Sequence, residues 1–186
     1  MEYVKRVEDL MVALDDYATV NCNESLEKAV EALEVAQDKF QHSKSPYLHR
    51  AILVIDDNNR VVGKISQLDV LRALEDSYDM VGDMKSLSRF GLSPQFVRNM
   101  MSDAKLWFWP FDELCKKGAK KKVKDFMYTP SVAEYVCKGD SLSNAIHLFI
   151  VGHHQSLLVT DSNKKIVGVL RLADVFHEVQ EKMKKK

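Results

Sequence analysis

Val62-Gly63-Lys64-Ile65-Ser66-Gln67-Leu68-Asp69-Val70 decides the reading of this chain, because a relative of it returns 105 residues later. There the sequence runs Val167-Gly168-Val169-Leu170-Arg171-Leu172-Ala173-Asp174-Val175. Working back towards the N-terminus, Leu53-Val54 falls on Leu158-Val159, Asp56 on Asp161 and Asn58 on Asn163 at the same offset. Before an extra 11 residues in the first copy, the offset becomes 116. It then matches Val7-Glu8-Asp9-Leu10-Met11 to Val123-Lys124-Asp125-Phe126-Met127, and Val20, Ser25, Leu26 and Ala29 to Val136, Ser141, Leu142 and Ala145. Matches at two consistent offsets mark a tandem duplication of about 60 residues, too few copies for a solenoid.

Both copies carry the same local signals. Ser25 is a hydroxyl N-cap, and apolar residues at 26, 29, 30 and 33 give an amphipathic helix. Ala51 to Ile55 is a short apolar run rich in β-branched residues, hence a buried strand. Asp56-Asp57-Asn58-Asn59 has turn chemistry, and Arg60 to Ile65 is the returning strand of a hairpin. A helix follows from Ser66. The second copy repeats the series, with a helix from Ser141, strands over Ser156–Thr160 and Lys165–Leu170, and a helix from about Leu172. Ala18–Val20 and Glu134–Val136 read as short strands before each first helix. The order is β-α-β-β-α, twice.

The composition is that of an ordinary globular protein: 46% hydrophobic and 29% charged. No apolar run is long enough to cross a bilayer, and the acidic N-terminus is unlike a signal peptide. Three scattered cysteines, Cys22, Cys115 and Cys137, read as free thiols in a reducing cytoplasm. The net charge of zero hides an asymmetry. Residues 1–104 hold 12 basic against 18 acidic residues, and residues 105–186 hold 15 against 9. The excess sits in Lys116–Lys124 and Lys182–Lys186, which read as a solvated linker and a frayed terminus in preference to a nucleic-acid or lipid contact.

The repeat order and its residues resemble the cystathionine-β-synthase (CBS) domain, which occurs as tandem pairs called Bateman modules. The resemblance rests on Val7-x-Asp9-x-Met11, on Val123-x-Asp125-x-Met127-x-Thr129-Pro130, on Leu53–Asp56 and on Val62–Val70. It implies an α/β (α+β) fold of two β-α-β-β-α repeats, residues 1–75 and 123–186, packed with pseudo-two-fold symmetry. A largely helical insert, 76–122, separates them. It further implies a ligand cleft between the repeats and a homodimer.

The same resemblance assigns the site. Read locally, Ser66-x-x-Asp69 is a capping box. In CBS domains the segment is a nucleotide signature, which gives Asp69 to ribose and Ser66 to ribose or phosphate, at a helix N-terminus that favours phosphate. The second copy keeps Asp174 but has Arg171 in place of the hydroxyl, and a guanidinium there can clamp a phosphate bidentately. Arg50 and His154 precede the central strands, where proteins built from these repeats place phosphate-binding basic residues. Thr129, in the Thr-Pro pair, falls where the family's backbone meets adenine. His153 and His154 lack a third residue at metal-ligand spacing.

Within the insert, Ser93-Pro94 reads as an N-cap and N1 proline opening a helix through Met101. Lys105–Phe111 concentrates both tryptophans, a pattern of satellite cores and dimer contacts more than of nucleic-acid stacking. No catalytic or Walker-type motif occurs. The resemblance implies a cytoplasmic, non-enzymatic sensor of an adenine nucleotide (AMP, ADP, ATP) or S-adenosylmethionine, with no obligatory cofactor. The rival is an interaction protein with a vestigial site, whose aromatic and basic insert binds a protein or nucleic acid.

Overall fold

The apolar runs found by pattern become the centres of two small sheets. The structure, a computed structural model, describes residues 4–40, 50–74, 93–103 and 110–184. In the first sheet, β2 (Thr19–Asn21) runs parallel to β3 (Ala51–Ile55), which pairs antiparallel with β4 (Val61–Ser66). In the second, β5 (Tyr135–Cys137) lies parallel to β6 (Ser156–Thr160), and β6 antiparallel to β7 (Ile166–Arg171). The pairings superimpose under the sequence offsets: Thr19↔Leu53 becomes Tyr135↔Leu158, and Ala51↔Ser66 becomes Ser156↔Arg171. Even the hairpin turns agree, with Asn59 (φ 57) and Lys164 (φ 62) both left-handed.

Helices cover these sheets. In the first copy, α1 (Leu26–Phe40) and α2 (Gln67–Leu74) flank the hairpin. After the repeat come α3 (Pro94–Asp103) and α4 (Phe111–Ala119), followed by the second copy's α5 (Leu142–Gly152) and α6 (Leu172–Lys184). The expected caps are formed: Ser25 Oγ accepts from the Lys28 N–H, Ser141 Oγ from Asn144, and Ser93 Oγ from Phe96.

The two copies exchange their opening segments. The Val7 N–H donates to the Asp140 carbonyl at 3.0 Å and Leu142 N–H to the Lys5 carbonyl at 3.0 Å, while β1 (Val12–Ala13) pairs with β7. The mirror set joins Val123 to Glu24, Leu26 to Lys121, and Tyr128 to Lys64. Val7 therefore lies in the second copy's core with Leu142, Phe149 and Leu170, and Val123 in the first copy's with Ile52, Val54 and Ile65. A third cluster, Val12, Tyr17, Leu53, Leu158 and Val169, joins the halves. The glycines of the pattern serve this exchange. A Cβ on Gly168 would lie 2.4 Å from the Val12 carbonyl oxygen, and one on Gly63 2.8 Å from Met127 Sδ.

The basic run differs from the linker expected of it. Lys116 and Lys117 sit on α4, which packs on α2: Gly118 is buried so closely that a Cβ would fall 2.5 Å from Leu74 Cδ2. The lysines face outward while the backbone beneath them is fixed. The C-terminal lysines likewise continue α6 to Lys184, which pairs with Glu181 at 3.1 Å. Both tryptophans, with Lys105 to Trp109, lie outside the described residues, as does 41–49 of the first-copy extension. Among the described residues no helix is long and apolar enough to cross a membrane.

Candidate functional site

Each hairpin strand runs directly into a helix, β4 into α2 and β7 into α6, so the pseudo-symmetry brings two helix N-termini towards one inter-copy cleft. It holds about 500 Å³. Five of the seven residues singled out from sequence line it: Arg50, Ser66, Asp69, His154 and Arg171. Thr129 is exposed outside its lining, although the neighbouring Tyr128 contributes. Asp174 is buried behind Arg171.

On the first-copy side the capping box is complete. Asp69 Oδ2 accepts from the Ser66 N–H at 2.8 Å and from the Ser66 hydroxyl at 2.6 Å, and Ser66 Oγ accepts from the Asp69 N–H at 3.3 Å. This engages one carboxylate oxygen. The other, Oδ1, has the exposed Arg72 Nη1 at 3.9 Å, so acceptor capacity is left for a ligand. Arg50 stands at the start of β3, exposed, and has no ion-pair partner among the described residues.

The second-copy side is built differently. Arg171, where a phosphate clamp was expected, forms a fork on the carboxylate three residues on. Its Nε donates to Asp174 Oδ2 at 2.5 Å and its Nη2 to Oδ1 at 2.7 Å. Both residues are buried, so the bidentate geometry is present but an internal acid occupies it. Tyr17 lies beside the pair, its phenol pushed up to about 12 by burial; Arg171 opposes the shift and Asp174 adds to it. His154 is half-buried, and its Nε2 is enclosed without a hydrogen-bond partner. His153 ends α5 in the left-handed region.

A cluster not anticipated from sequence completes the wall: Lys64, Glu134 and Tyr128. Lys64 pairs with Glu134 Oε2. Glu134 Oε1 accepts from the Tyr128 hydroxyl at 2.5 Å and the Ser131 N–H at 3.0 Å. The Lys64 ammonium lies 5.3 Å from the centroid of the Tyr128 ring. Burial would raise the Glu134 carboxyl, but the hydrogen bonds from Lys64, Tyr128 and Ser131 outweigh it and hold the group below its ordinary value. Part of this was legible, since Ser131-x-x-Glu134 is a capping-box pattern and such a box is formed. The partner 70 residues away was not.

Among known proteins, the CBS domain family model matches residues 7–76 and 123–181. No curated protein matches. Solved structures share the fold. CBSX2 from Arabidopsis thaliana is 21% identical over 99% of both chains, with a TM-score of 0.59. A structure of CBSX2 in complex with AMP is 22% identical over 95% of this chain and 96% of that one, TM-score 0.57. The cytosolic domain of the Mg2+ channel MgtE in complex with ATP is 17% identical, TM-score 0.52, over 91% of this chain and 46% of its own. Protein MJ1004 from Mathanocaldococcus jannaschii is 19% identical with a TM-score of 0.56; 95% of this chain spans 60% of its length.

Proposed function

This chain belongs to the CBS domain family, and we propose that it is a regulatory module that binds an adenine nucleotide or adenosyl ligand in the cleft between its repeats. The observation that carries the reading is the convergence, on one cleft, of the α2 N-terminus, the Ser66–Asp69 pair with one carboxylate oxygen in reserve, and Arg50. An anionic group is favoured at the helix N-terminus and by Arg50, and ribose hydroxyls suit Asp69 Oδ1. The AMP and ATP complexes of CBSX2 and MgtE support the ligand class. The ligand works by favouring one arrangement of the repeats, or of their partners, over another.

The module acts as a homodimer in the cytoplasm. Exposed apolar residues recur at equivalent places in the two copies, Leu71 with Phe176 and Val35 with Val151, which supplies paired surfaces for a second subunit. Light scattering at high protein concentration returns twice the 21.3 kDa chain mass if this holds.

The second reading is an interaction protein with a vestigial site. Its support is specific: Arg171 and Asp174 consume one another, and half of Asp69 is spent on Ser66. Thermal melts with AMP, ADP, ATP and S-adenosylmethionine decide. A ligand at 100 times its Kd adds about 2.7 kcal/mol, a clear upward shift of the midpoint. No shift with any of the four at millimolar concentration leaves the vestigial reading.

A further inference from the structure

The Lys64–Glu134–Tyr128 cluster is an element of the cleft wall that the duplication does not repeat. At the offsets of 105 and 116, the residues equivalent to Lys64, Glu134 and Tyr128 are Val169, Ala18 and Val12. All three are buried and apolar, and Val12 pairs with Val169 as Tyr128 pairs with Lys64. The same fold thus closes the same junction with hydrocarbon alone. A buried ion pair costs desolvation that its own attraction scarcely returns, so stability does not account for the replacement.

The position of the cluster gives its use. Lys64, Glu134 and Tyr128 line the cleft together with Ser66 and Asp69. Lys64 lies two residues before Ser66 on β4, hence on the same face and roughly 6–7 Å along the strand. That span is comparable to the distance from the hydroxyls of a ribose to the far edge of its purine. Glu134 is almost fully enclosed and its oxygens are engaged, so a ligand meets the Lys64 ammonium and the half-exposed Tyr128 ring in preference to the carboxylate. An ammonium has three N–H donors, and one of them goes to Glu134.

We infer that Lys64 reads the base: held in place by Glu134 and Tyr128, it donates a hydrogen bond to an unprotonated ring nitrogen of a purine whose ribose sits at Asp69. The inference rests on the nucleotide reading above and adds to it the residue that distinguishes one base edge from another. Glu134 and Tyr128 are positioning residues. A base with no acceptor at that edge leaves the ammonium unsatisfied and is rejected, as buried polar sites reject analogues that lack their partner.

The test is titration calorimetry with AMP and its 1-deaza, 3-deaza and 7-deaza analogues. Removing Lys64 alone would strand the Glu134 charge, so the variant is K64V/E134A, which installs the residues the other copy uses at the same junction. The wild type is expected to bind one deaza analogue at least about tenfold more weakly than AMP, the effect of losing a charge-assisted hydrogen bond. In the folded variant AMP itself weakens by a similar factor and that analogue loses no more. Identical analogue-to-AMP ratios in the two proteins, with AMP bound by both, overturn the role of Lys64 and leave the nucleotide reading intact. Failure of the folded wild type to bind any of AMP, ADP, ATP and S-adenosylmethionine removes both.

Discussion

The two sides of the cleft descend from one sequence and have opposite electrostatic construction. At the first-copy junction a small hydroxyl caps α2 and leaves Asp69 partly available, and the adjoining strand pair carries Lys64 and Glu134. At the second-copy junction an arginine takes the place of the hydroxyl, locks Asp174 and buries it, and the adjoining strand pair is hydrocarbon. Both solutions stabilise a strand-to-helix turn. The first leaves one carboxylate oxygen of Asp69 without a close hydrogen bond, whereas the second commits both oxygens of Asp174 to Arg171.

That contrast breaks most visibly at Arg171. Arg171→Ala strands a buried carboxylate, and the expected loss is about 3–5 kcal/mol in urea unfolding. Replacing both partners with apolar residues, R171M/D174L, should recover most of it. A loss below about 1 kcal/mol for the single variant would show the pair to be solvated and the two junctions alike.

The exchange of opening segments is expected to be symmetric. Val7 and Val123 are both fully buried, each in the opposite copy's core, so Val7→Ala and Val123→Ala should each cost about 2 kcal/mol. Unequal losses, with one variant near wild type, would mean that one segment docks only loosely.

Asp69→Ala sharpens the comparison from the other side. As a cap residue it should cost about 1 kcal/mol or less in stability. As a ribose acceptor it should cost at least about tenfold in nucleotide affinity, measured by calorimetry on the folded variant. Unchanged affinity reduces Ser66 and Asp69 to a helix cap.

The smallest effect is that of pH. The Glu134 carboxyl is held below its ordinary value of 4.5, so its contribution is complete above that pH and is lost as pH falls through the lowered folded value. Melting midpoints of wild type should therefore fall further between pH 5 and pH 3 than those of K64V/E134A. Parallel curves would place Glu134 outside the ion pair.

Much of the architecture could be read without coordinates because its signals are short-range. The apolar runs of Ala51–Ile55 and Ser156–Thr160, the Asp-Asn turns and the serine caps at 25, 93 and 141 all depend on neighbours a few residues away. Five of the seven site residues were placed at the cleft for a related reason: strand ends and helix starts in a duplicated unit converge wherever the two copies meet. Thr129 and Asp174 fell outside the lining, and Asp174 is held by Arg171, three residues before it.

Residue order alone marks the chain as a duplication and gives where its strands and helices lie and which junctions carry acids at helix N-termini. These follow from periodicity, turn chemistry and caps, all set by local backbone sterics and hydrogen bonding. Tertiary structure alone decided that residues 4–13 complete the second half and 121–128 the first, and that Lys64 finds Glu134. An exposed strand edge accepts any extended segment that reaches it, and a buried charge takes whichever counter-charge the packing supplies. Those choices are made between residues distant in sequence, where local pattern carries no information.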